Sequence, residues 1–174
     1  MKNDKLSHFA RRLTKTRYFT VLEGIVVGVA GGLVTVLFRA ALSREESWLH
    51  TALAFGKEHP AFIPVWFLIL LAAAAVVTVL VRWEPMISGS GIPQVEGELQ
   101  GKIPTVWWRV LLAKLTGGML AIGCGLALGR EGPSIQLGAM AGKGVSRISG
   151  RRRDERLLLT CGASAGLAAA FNAP

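Results

Sequence analysis

Two short glycine-rich breaks interrupt the apolar text of this chain, Gly89-Ser90-Gly91-Ile92-Pro93 and Gly129-Arg130-Glu131-Gly132-Pro133. Each places glycines and a proline where a helix should begin. A helix start leaves its first backbone N–H groups unpaired, and unpaired donors at low dielectric attract anions. Ser90, read as an N-cap, leaves the N–H groups of Gly91 and Ile92 free and adds a hydroxyl donor of its own. Pro93 costs nothing in a first turn, where its missing N–H has no partner to lose. The helix dipole supplies partial positive charge without a full cation, which suits an ion that must also leave.

Glu131 carries the second chemical signal. A carboxylate in an apolar tract is expensive unless it has a function. Placed at a helix start beside Gly129, Gly132 and Pro133, it would occupy the same N–H cradle that attracts a small anion. Protonation would remove the charge and release the side chain, so one residue would couple proton uptake to anion access. The alternative is a structural acid paired to Arg130 or Lys114. Lys114 stands in the apolar segment before the second break. It would add positive potential to an anion path, or else snorkel or pair locally. Arg130 reads as an anchor for its loop, and Glu96 and Glu98 as surface or helix-end charges.

Other chemistries find no residues to carry them. Gly138-x-x-x-Gly142-Lys143-Gly144 is one residue short of a phosphate loop and lacks the following Ser or Thr. No strand precedes Gly123-x-Gly125, so it is not a dinucleotide fingerprint. Cys124 and Cys161 lie in small-residue stretches without metal-ligand spacing, and His8, His50 and His59 have no paired carboxylates. No nucleophile–base pair, metal cluster or cofactor motif is found, and an enzyme is not expected.

The elements that must position these groups are membrane helices. Of the 174 residues 51% are hydrophobic, and their placement is decisive. Phe62–Val81 is a run of twenty residues with Thr78 as its only polar member, and Phe19–Phe38 a second, broken by Thr20, Glu23 and Thr35. Either is long enough to cross about 30 Å of hydrocarbon, and neither reads as a cleaved leader. The net charge of +9 is unevenly spread, with six basic residues before the first run and Arg147, Arg151, Arg152, Arg153 and Arg156 in one later loop. Such flanking charge places both regions in the cytoplasm, in a cell membrane, and argues against nucleic acid.

The expected order is a basic segment 1–18, its Leu6, Phe9, Ala10 and Leu13 lying on the inner membrane surface, followed by a membrane domain 19–174. A first span runs over Phe19–Leu42, with Gly24, Gly28 and Gly32 forming a packing face. A polar outer stretch, Ser43–Pro60, precedes the second span. Gly91–Leu99 is too short to span and reads as a re-entrant half-helix. A third apolar segment extends to Leu128, a fourth from Gly132 to Ile148, and a last from Leu157 to Phe171. Broken helices of unequal length at membrane depth are the mark of a substrate path.

Three motifs in order resemble the CLC chloride channels and proton/chloride exchangers: Gly89–Pro93, Gly129–Pro133 and Gly162-Ala-Ser-Ala-Gly-Leu-Ala-Ala-Ala-Phe-Asn-Ala-Pro174. Val95-Glu96-Gly97 and Trp107-Trp108-Arg109 also fit, and the order of elements is similar to bacterial members. The resemblance implies an all-α, polytopic membrane protein with re-entrant and broken helices, the first part of the CLC inverted-repeat fold. It implies that Ser90 coordinates a dehydrated chloride, that Glu131 is the gating and proton-accepting glutamate, and that Lys114 lies behind the anion path. A serine at position 90 is similar to chloride-preferring members. The expected function is proton-coupled chloride exchange by an intact parent that acts as a homodimer, with a passive gated channel or a non-transporting truncated fragment as alternatives. The chain is expected to stop inside the first half, short of the second glutamate, the remaining chloride donors and the dimer helices.

Overall fold

In a computed structural model, residues 2–59, 61–150 and 152–173 are described, with side chains from Phe19 onward. The side chains of Leu6, Phe9, Ala10 and Leu13, and the residues Pro60, Arg151 and Pro174, lie outside that description. Among the described residues six α-helices follow one another: α1 (Lys2–Glu58), α2 (Phe62–Trp83), α3 (Ile92–Leu99), α4 (Trp107–Gly123), α5 (Glu131–Ile148) and α6 (Glu155–Phe171). Single 3-10 turns at Pro85–Ile87 and Arg152–Asp154 precede α3 and α6. The described residues contain no strand.

α5 is the axis of the fold. Most of its residues are buried, from Gly132 to Ser146, and α6, α1 and α4 pack around it. The contact with α6 is backbone against backbone: a methyl at Gly138, Gly142, Gly162 or Gly166 would overlap main-chain atoms of the facing helix. Gly31 of α1 closes the junction, its missing Cβ lying 3.3 Å from the Gly162 carbonyl. α2 has no buried residue. Its exposed Phe67, Leu68, Leu71 and Val79 are what a lipid-facing helix presents. α1 and α2 both have the length and apolarity to cross a membrane.

Three expectations change. α1 does not end at Leu42 but continues to Glu58. No glycine or proline lies between Gly32 and Gly56, so the polar residues from Ser43 onward sit on the helix rather than ending it. The packing face of α1 is Val27, Gly31, Thr35, Phe38 and Leu42, all buried. A Cβ at Gly24, Gly28 or Gly32 would meet nothing within 4 Å, so that stripe is not the seam against the rest of the chain. α4 stops at Gly123 rather than Leu128, in a Schellman motif. Gly125 takes φ 94°, with bonds from its N–H to the Ile122 carbonyl at 2.9 Å and from the Leu126 N–H to the Ala121 carbonyl at 3.2 Å.

Candidate anion site

The two glycine breaks, about forty positions apart in sequence, meet in space. Gly132, in the first turn of α5, lies so close to the Ser90 backbone that an added Cβ would be 2.5 Å from its carbonyl oxygen. Gly91 lies equally close to the Gln136 side chain of the next turn. Glycine is required at 132 by this approach, and at 91 also by its φ of 89°.

A cavity of about 690 Å³ opens at this junction. Its wall includes Gly89, Ser90, Ile92, Lys114, Gly129, Glu131, Gly132 and Pro133, with apolar residues of α2, α4 and α6 completing it. Pro93 and Arg130 are not on that wall. Gly91 is buried against Gln136 instead.

The local capping differs from the expected one. Gly91, not Ser90, is the N-cap of α3. Its left-handed backbone swings Ser90 one position further out, so the Ser90 hydroxyl accepts a long, 3.4 Å bond from the Ile92 N–H. One of the two N–H groups assigned to the cavity is thus satisfied locally. The hydroxyl hydrogen remains available as a donor.

Lys114 is 4% exposed and donates to the carbonyls of Ile87 at 2.8 Å and Gly89 at 2.7 Å. It therefore does two things at once: it fixes the turn that presents Ser90, and it places a cation on the cavity wall. Two further amides tie the same turn, Gln94 to the Ser88 carbonyl at 3.0 Å and Gln136 to the Met86 carbonyl at 2.8 Å.

Glu131 opens α5 and is exposed. The first-turn N–H groups of Glu131 and Gly132 lie outside the intrahelical ladder, since that ladder starts with Ser134 bonding back to Arg130 at 3.4 Å. The structural pairing with Arg130 or Lys114 does not form. Among the described residues the ion pair of Arg130 is with Glu46 of α1, at 3.6 Å, which anchors the loop between α4 and α5. Lys114 is committed to its two carbonyls.

Two groups escaped sequence reading. Gln136 sits 1% exposed between the breaks and ties them together. Its only signal is a long polar side chain in a small-residue tract. Glu98 is not a surface charge: it is buried and ion-paired with Lys143, which is 3% exposed. In the sequence Lys143 stands only in an incomplete phosphate-loop pattern.

The chain is similar to known proteins. A family model described as voltage gated chloride channel matches residues 72–174. The H(+)/Cl(-) exchange transporter ClcA of Vibrio cholerae serotype O1 is 38% identical over all of this chain and 38% of its own length. That of Salmonella arizonae is 42% identical over 92% of this chain and 35% of its own. The crystal structure of a slow cyanobacterial Cl-/H+ antiporter superposes with a TM-score of 0.77 at 37% identity, covering 88% of this chain and 37% of that one. The chain thus spans little more than a third of the length of these relatives, including both glycine breaks and the helices that carry them. With the family model covering more than half of its residues, the chain belongs to the voltage gated chloride channel family.

Proposed function

We propose that this chain forms the outer gate and one wall of the anion path in a proton-coupled chloride exchanger of the cell membrane, its N-terminus in the cytoplasm. The observation that carries this reading is the meeting of the Ser90 turn with the start of α5 on one cavity that also contains Glu131 and Lys114. The names of the relatives, H(+)/Cl(-) exchange transporters and a Cl-/H+ antiporter, support the pairing of chloride with protons.

In this reading the Ser90 hydroxyl and the backbone of the 89–92 turn hold chloride. Pro93, Gly129, Gly132 and Pro133 shape the two helix starts, and Arg130 fastens the loop. An ionised Glu131 competes with chloride for the same electropositive region. Once protonated it loses that attraction and admits the anion, and its return expels the proton on the other side of the cycle. Lys114 biases the path toward anions from behind the turn. The part of the relatives' length that this chain does not span supplies the remaining donors, a second acid and the homodimer contacts.

The test is reconstitution of the full-length transporter carrying this chain, with and without Glu131→Ala, recording chloride efflux and proton movement together. Chloride flux should persist in the variant while proton movement disappears. Unchanged coupling would remove Glu131 from the gate. Chloride flux without protons in the unmodified protein would identify a passive channel, and no flux at all a non-transporting protein.

A further inference from the structure

α3 is two turns long, and within it only Val95 and Glu98 are buried. A helix of this length has little stability of its own, so what holds those two residues sets where its other end points. Val95 joins the apolar cluster around Ile87, Val110 and Met140. Glu98 is held differently, in a closed polar cluster with α5. One carboxylate oxygen is ion-paired with the Lys143 ammonium, and the other accepts the Thr105 hydroxyl at 2.6 Å. Lys143 also donates to the Thr105 carbonyl at 2.8 Å and the Thr105 hydroxyl at 3.0 Å, so its three protons have three acceptors. Glu155 at the start of α6 lies 3.8 Å from Lys143 and is itself bound by Arg147 at 2.6 Å. Two acids and two bases balance, and they join α3, α5 and α6 at the end remote from Glu131.

We propose that Lys143 is a positioning residue for the anion site, clamping the C-terminal end of α3 to α5 through Glu98 so that the Ser90 turn keeps its register against Gly132 and Glu131. The proposal rests on the exchanger reading for its functional consequence, but its structural half is independent of it. Lys143 lies twelve positions after Glu131, about 18 Å along the helix, and is not among the residues that line the cavity. Its effect on the Ser90 turn passes through α3, whose C-terminal end it holds. Lys114 and Gln136 fasten the turn itself; the Glu98 clamp fixes the lever behind it.

The experiment is hydrogen exchange of the full-length transporter in lipid nanodiscs, comparing wild type with Glu98→Gln, Lys143→Met and Lys143→Arg. Glu98→Gln keeps the shape and one of the two acceptor oxygens, and Glu155 stays 3.8 Å from Lys143 as its counter-charge, so it folds even where Lys143→Met does not. Amides of 88–92 should exchange about tenfold faster in Glu98→Gln and Lys143→Met, the loss of roughly one charge-assisted bond of local stability. Lys143→Arg should restore most of the protection, and amides within α4 should not change. Unchanged exchange at 88–92, or acceleration spread equally over α4, overturns the proposal. In sealed liposomes holding the same proteins, chloride-over-nitrate preference should fall about twofold or more in the two accelerated variants, as expected when donors at an ion site are displaced; an undiminished preference overturns the link to the anion site. A wild-type protein that moves no chloride would refute the exchanger reading, while the exchange data would still decide the clamp.

Discussion

The two charged residues of α5 treated in detail, Glu131 and Lys143, occupy opposite conditions on one helix. Glu131 is exposed at the start of the helix and, among the described residues, has no ion-pair partner. Lys143 is buried, and every proton of its ammonium group is used. A group that must change its charge and move cannot be held by strong partners, because they would resist both changes. A group that must hold others still needs them. Burial and partner number thus separate a moving charge from a fixed one even though both lie on one continuous element.

That contrast can be broken most forcefully at the fixed end. Lys143→Met leaves Glu98 buried without its counter-ion and should cost about 3–5 kcal/mol, read as a lowered Tm of the detergent-solubilised protein. A loss below about 1 kcal/mol would mean that the pair is as solvated as a surface one. Lys114→Met comes next. It removes two charge-assisted bonds to the Ile87 and Gly89 carbonyls, for about 2–3 kcal/mol, and should weaken chloride binding in calorimetry. Lost stability with unaltered chloride affinity would reduce Lys114 to a tie for the turn. The smallest stability effect belongs to the moving end. Glu131→Gln should leave Tm within error of wild type while changing proton movement, and a large drop in Tm would show Glu131 to be a structural acid after all.

The glycine breaks were legible in the sequence because nothing else explains glycine and proline clustered within apolar text. So were the two long spans and the two-turn α3, since run length against bilayer thickness decides both. What no local pattern could show was the contact through which the two helix starts converge. The approach of Gly132 to Ser90 depends on how α4 returns the chain, and no local pattern encodes it. The Glu98–Lys143 pair is hidden for the same reason, its members being forty-five positions apart. The α1 errors have another cause. A polar stretch after an apolar run marks the membrane edge, whereas a helix ends at a cap or a breaker, and 43–55 contains no glycine or proline. The regular glycine stripe at 24, 28 and 32 suggests a packing face, but burial follows Val27, Gly31, Thr35 and Phe38 on a neighbouring one.

The glycine junction of α1, α5 and α6 has a mechanical meaning. Where main chains form the contact surface there is no cushion of side chains to deform, so the three helices behave as one stiff beam. A beam transmits displacement but does not store it. Any local give at the anion site must therefore come from the parts hung upon it: the Glu131 side chain, the loop that Arg130 pins to Glu46, and the short cantilever of α3.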